Sequence, residues 1–256
     1  MDLELSGKRV LVTGASRGIG YACARHFARE GCEVHLASSS EDALRAAVAK
    51  LKDEIGVTAA FHRADLSTSD GVESLRPLAT TVDILVNNAG AIPGGGLADI
   101  DSQRWRESWN LKMFGYVDLT RMALAPMMER GAGVIVNVLG IAGANPRYDY
   151  VCGSTANAGL MAFTKSVGAH SSRRGVRVVG VNPGPTETER LVKLFSTRAQ
   201  TSLGDAARWP ELLSDLPFGR PATADEMADL VVFLASARAS YLSGLVVDAD
   251  GGAMYR

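Results

Sequence analysis

Thr13-Gly14-Ala15-Ser16-Arg17-Gly18-Ile19-Gly20 follows the apolar run of residues 9–13 directly and opens a segment of helical period. That context decides the fold. The glycines let the backbone turn sharply between a strand and a helix and come close to a pyrophosphate, while the helix N-terminus offers free N–H groups and partial positive charge. A glycine-rich turn without a ligand is the plain alternative, and the flanking strand and helix argue against it.

Working outward, short apolar runs alternate with longer stretches of period 3.6, the pattern of βαβ units feeding a parallel sheet. Strands are expected over residues 9–13, 33–37, 58–63, 84–87, 133–138, 176–181 and 245–247. Helices are expected over 19–30, 41–54, 68–78, 102–130, 154–171 and 224–235. Val134-Ile135-Val136 is continuously apolar, as befits a strand covered on both faces. The expected architecture is α/β: one Rossmann-type, doubly wound sheet of about seven parallel strands with helices on both faces, residues 1–256 forming a single dinucleotide-binding domain. Gly31, Asp101 and the Thr223/Glu226 pair mark helix ends. Residues 187–217, mixed in polarity, read as an insertion over one edge and a substrate lid.

The chain has 256 residues, 46% apolar and 21% charged, and its 27 basic and 28 acidic residues leave a formal charge of −1. No basic stripe suits nucleic acid and no cationic amphipathic segment suits a membrane surface, which leaves a small-molecule substrate as the expected partner. Cys23, Cys32 and Cys152 are odd in number, and with His26, His35, His62 and His170 they lack metal-ligand spacing, so neither disulfide nor metal is expected. The N-terminus has no apolar signal core and no later apolar run approaches the length of a membrane span. A cytoplasmic protein is the expectation.

Further segments add to the glycine loop: Asp65-Leu66 after the third strand, Asn87-Asn88-Ala89-Gly90 after the fourth, Asn110 in the long helix, Asn182-Pro183-Gly184 after the sixth strand, then Ser243-Gly244 and Asp250-Gly251-Gly252. With these, the chain resembles the short-chain dehydrogenase/reductase family over almost its full length. The resemblance implies a nicotinamide dinucleotide on Gly14, Ser16, Arg17, Gly18, Ile19 and Gly20. It implies Asp65 and Leu66 facing the adenine, Asn88, Ala89 and Gly90 lining the adenosine side, and residues 183–188, with Pro183, Gly184, Thr186 and Thr188, reaching the nicotinamide. Asn87 and Asn88 have a structural alternative, tying neighbouring strands together. The second strand ends Ala37-Ser38-Ser39-Ser40 without a carboxylate to repel a 2′-phosphate, and Arg17 resembles the basic residue that pairs with that phosphate. NADP is therefore preferred over NAD, with Ser38 and Ser39 adding hydroxyls; Arg17 turned to solvent is the alternative.

The family's usual site needs a tyrosine, a lysine four residues later, a serine thirteen residues before the tyrosine, and an asparagine. Anchored on residues 136–143 and 158–166, these positions fall on Gly153, Asn157, Gly140 and Asn110, so only the asparagine is kept. Tyr150, three residues before Gly153, is the candidate substitute proton donor, on nearly the same face if the helix begins that early. Ser154, Thr155 and Cys152 are weaker candidates, and Asn157 could still hydrogen-bond the nicotinamide ribose. Lys112 is expected to point away from Asn110 and Lys165 lies two turns beyond Asn157, so both are expected in solvent. Trp105, Trp109, Met113, Phe195 and Trp209 serve either a substrate pocket or the core. Two functions follow: an NADP(H)-dependent oxidoreductase with a rebuilt site, or a cofactor-binding protein without turnover, acting as a sensor or inactive subunit. A lyase on this fold would more naturally keep the tyrosine and serine. The resemblance also implies a homotetramer or dimer.

Overall fold

Strand β1 (Arg9–Thr13) lies in the interior of the sheet, and Val10, Leu11 and Val12 have no exposed surface. It pairs in parallel with β2 (Glu33–Ser38) on one side and β4 (Ile84–Asn87) on the other. Adding β3 (Ala60–Arg63), β5 (Gly133–Val138), β6 (Val176–Pro183) and β7 (Val246–Ala249) gives a seven-stranded sheet in the order β3-β2-β1-β4-β5-β6-β7, each pair parallel. The computed structural model describes residues 1–255, without the side chains of Arg190 and Arg198. Strand order reverses between β1 and β4, which opens a crevice at the carboxyl ends of the strands.

The connecting helices are α1 (Gly18–Arg29), α2 (Glu41–Ile55), the short α3 (Ser69–Ser74) and α4 (Arg76–Ala79), α5 (Ser102–Trp109), α6 (Gly115–Arg130), α7 (Val151–Ser171), α8 (Glu189–Leu203) and α9 (Ala224–Ala235). One buried cluster sets Phe27, Leu36, Leu44 and Leu51 with Val231 and Val232; a second sets Leu11, Leu66, Leu85, Leu119 and Ile135 together. Covering both faces of a parallel sheet in this way explains its continuous apolar runs. Ends are fixed by Ser40, Thr68, Asp101 and Thr188 as N-caps, and by a reciprocal capping box between Thr223 and Glu226.

Three expectations change, and the segment given no elements acquires them. Residues 68–78 form two short helices around the Leu75 turn rather than one. The long helix is interrupted by a π-helical turn, Asn110–Phe114, where the Gly115 N–H reaches back five residues to the Asn110 carbonyl. Helix α7 begins at Val151, three residues earlier than expected, with Tyr150 at its N-cap. Residues 187–217 are ordered by α8 and a 3₁₀ segment, Ala206–Leu213. Among the described residues no helix is long and apolar enough to cross a membrane, and no group of three or more metal-ligating side chains occurs.

Candidate active site

The glycine loop bends with Gly14 at φ 63° and Gly18 at φ 57°, values that favour glycine. Arg17, extended at φ −163°, precedes the first turn of α1. A Cβ on Gly20 would stand 2.5 Å from Asn88 Nδ2 and nearer still to the Gly14 carbonyl oxygen, so the loop closes on its helix only with glycine there. Asn88 Nδ2 donates to the carbonyls of Thr13 (3.0 Å) and Gly14 (3.3 Å), and Thr13 Oγ1 accepts from the N–H groups of Asn88 and Ala89. Asn88 and Ala89 thus lock the loop to the end of β4. Asn87 is wholly buried and ties strands, its Nδ2 donating to Asn137 Oδ1 (2.9 Å) and Thr120 Oγ1 (3.2 Å).

At the end of β2, Ser38 Oγ lies 3.2 Å from Ser16 Oγ, and Ser39 is exposed. Arg63, which sequence reasoning missed, pairs with Ser38 in the sheet register and its Nε donates to the Ser39 carbonyl at 3.4 Å. Its position beside the serines follows from strand pairing, which no local motif announces. Arg17 makes an ion pair with Glu189 at 3.1 Å, the two side chains 78% and 81% exposed, so the guanidinium is accessible to a competing anion. Asp65 is exposed and holds Ser67 through Oδ1. Leu66, by contrast, is 4% exposed with its side chain in the second core cluster, which leaves its backbone to meet an adenine.

Across the crevice, Gly184 donates to the Ala249 carbonyl at 2.9 Å, extending the β6–β7 pairing past Pro183, and Thr186 is buried and bridges to Ala222. Thr188 caps α8, and its methyl would meet a Cβ on Gly18 at 3.4 Å, so the base of the 187–217 segment sits over the phosphate loop.

Tyr150 lies against Gly153, the position at which the family resemblance expects a tyrosine. A Cβ on Gly153 would lie 2.6 Å from Tyr150 Oη, with the ring carbons nearer still, so the Tyr150 phenol occupies the space that glycine vacates. Several bonds hold it there. The Gly95 N–H donates to the Asp149 carbonyl (2.7 Å), the Ser154 N–H donates to the Tyr150 carbonyl (2.9 Å), and Ser154 Oγ bonds the Arg147 N–H (3.0 Å) and carbonyl (3.3 Å). Ser154 is 4% exposed and its hydroxyl is engaged in fixing this turn. Thr155 Oγ1 donates to the Val151 carbonyl. Cys152 is buried, and that burial pushes its thiol up and away from thiolate chemistry. The Trp105 and Trp109 rings lie 6.1 Å apart, tilted by 51°, and pack with Tyr150 against Ile92, Ile100, Cys152 and Ala156.

Asn157 is 2% exposed, its Nδ2 3.0 Å from where a Cβ on Gly140 would be, while its Oδ1 has no hydrogen-bond partner. A buried acceptor left unpaired is expensive, and a ligand donor would satisfy it. The Gly140 N–H donates to Asn182 Oδ1 at 3.4 Å, and Asn182 donates to Asp248 at 2.7 Å. The π-helical turn overturns one expectation: Lys112 is 6% exposed and donates to the Leu139 carbonyl at 2.7 Å. Asn110 stands at the start of that turn and is exposed. Lys165 is exposed.

The model of the short chain dehydrogenase family matches residues 8–199. The 3-oxoacyl-acyl-carrier-protein reductase FabG of Chlamydia muridarum is 30% identical, with 98% of this chain and 99% of that protein covered. Its counterpart from Vibrio harveyi is 34% identical, with 98% of each covered. The structure of L-sorbose reductase from Gluconobacter frateurii, complexed with NADPH and L-sorbose, superposes with a TM-score of 0.91 at 30% identity, all of each chain covered.

Proposed function

This chain belongs to the short-chain dehydrogenase family, and we propose that it is an NADP(H)-dependent reductase of a small carbonyl compound in which Tyr150 replaces the family's tyrosine. The observation that carries the reading is the complementarity of Tyr150 and Gly153: the phenol fills the space left by the side chain whose work it would do. A relative solved with NADPH supports the cofactor, as do the residues here. The Gly20 cradle admits no Cβ, Asn157 offers an unpaired buried acceptor, and Arg17 and Arg63 flank two serines where no carboxylate stands.

In this reading Gly14 to Gly20 hold the pyrophosphate at the N-terminus of α1, and Arg17, Arg63, Ser38 and Ser39 hold the 2′-phosphate. Asp65 and the Leu66 backbone meet the adenine, Asn88 to Gly90 the adenosine side, and Pro183 to Thr188 the nicotinamide end. NADPH, when bound, supplies the hydride. Tyr150 supplies the proton, passing it from Oη to the substrate oxygen, and its ring with Trp105 and Trp109 keeps water from that proton. Asn157 accepts a ribose hydroxyl. Residues 187–217 close over the cleft as the lid, and α8 moves with them.

Turnover decides the matter. NADPH consumption with a panel of ketoses, diketones and 3-oxo thioesters should show at least one substrate. Tight NADPH binding without any turnover across the panel would instead describe a cofactor-binding protein that does no chemistry.

A further inference from the structure

Lys112 is a charged side chain buried at the carboxyl end of the interior strand β5. Its Nζ donates to the Leu139 carbonyl at 2.7 Å and lies 5.8 Å from the centre of the Tyr116 ring. Gly90 makes room for it: a Cβ there would stand 2.9 Å from Lys112 Cδ and 3.6 Å from Nζ. Burying an ammonium is costly, and an apolar side chain such as methionine would fill the same space without that penalty. A carbonyl acceptor and an aromatic face both favour the charged form. The residue after Leu139 is Gly140, against which the Asn157 amide packs. Position 157, where the family resemblance implies a lysine, carries a neutral amide, and the π-helical turn carries a buried lysine, Lys112.

Resting on the NADP(H) reading above, we infer that Lys112 supplies the positive charge at the nicotinamide end of the cleft and biases the protein toward the reduced dinucleotide. The reduced nicotinamide ring is neutral and the oxidised ring carries one positive charge, so a fixed cation repels only the latter. Adenosine, phosphates and riboses are the same in both forms. The ratio of the two affinities therefore isolates the charge at the ring from every other contact.

Calorimetric titration of the full chain with NADPH and with NADP⁺ tests this without turnover. Lys112→Gln keeps a donor for Leu139 and removes the charge; Lys112→Met removes both; Lys112→Arg keeps the charge. We expect both neutral variants to shift the affinity ratio toward NADP⁺ by about three- to tenfold, and Lys112→Arg to keep the wild-type ratio. An unchanged ratio in the neutral variants, including a parallel fall of both affinities as expected from lost packing, would overturn the inference. Should Lys112→Met fail to fold, Lys112→Gln alone carries the comparison. A wild-type chain that binds neither dinucleotide would remove the NADP(H) reading itself, and this inference with it.

Discussion

Tyr150 and Gly153 form a matched pair, and each has a consequence when changed. Tyr150→Phe keeps the ring over Gly153 and deletes only the acid, so turnover should fall by about 10²- to 10⁴-fold with cofactor affinity unchanged. Full activity in that variant would transfer the proton to another donor. Gly153→Ala is the reciprocal test: its methyl collides with the Tyr150 ring, so the ring must leave its place. We expect activity to drop as in Tyr150→Phe, with a loss of about 1–3 kcal/mol in stability from overpacking, read by denaturant titration. The sequence places Tyr150 one helical turn from the vacancy, but that its ring fills the space is a fact of three dimensions. Lys112 was illegible for a related reason. Side-chain direction along a helix is read from a step of 100° per residue, and a single π-helical turn breaks that step without leaving a mark in the apolar pattern.

Among the elements, α1 joins the phosphate loop to the rest of the fold. Its Arg25 bonds Glu54 of α2 (3.1 Å) and Asp225 of α9, which also bonds His26. Burial opposes ionisation of both carboxyls, but Arg25, with Tyr21 on Glu54 and His26 on Asp225, outweighs it and holds both below their usual range. Carboxyls depressed on folding contribute stability that is complete above their unfolded values and fades as pH falls through the folded ones. The protein should therefore lose stability below about pH 4.5, and Arg25→Met should flatten that acid limb in melting curves taken from neutral to acid pH. A variant whose acid limb matches the wild type would put the acid sensitivity elsewhere. The strands around α1 were legible because continuous apolar runs, helix caps and the glycine loop agree locally. The 187–217 segment was not, because α8 is set by the Thr188 cap and by Leu191, Phe195 and Ala199 packing inward, contacts that mixed polarity conceals.

At the scale of the whole molecule, the crevice formed where strand order reverses unites residues from the ends of β1, β2, β4, β5 and β6, so a bound dinucleotide bridges both halves of the sheet. NADPH at about a hundred times its dissociation constant should stabilise the fold by roughly 2.7 kcal/mol, a rise of several degrees in melting temperature. NADH should do less, and Arg17→Gln should narrow the gap between them. Equal shifts from NADH and NADPH in the wild type would contradict the assignment of the 2′-phosphate to Arg17. Assembly through the two long helical stretches, residues 102–130 and α7, and the C-terminal strand β7, which the family resemblance implies, is part of the same reading, and light scattering should give a dimer or tetramer. The assignment of the proton to Tyr150 is decided by a crystal structure with NADP⁺ and a non-reacting carbonyl ligand. Tyr150 Oη should lie within about 3 Å of the ligand oxygen, above the nicotinamide and over Gly153. A ligand oxygen held by any other side chain, with Tyr150 turned away from it, would contradict it.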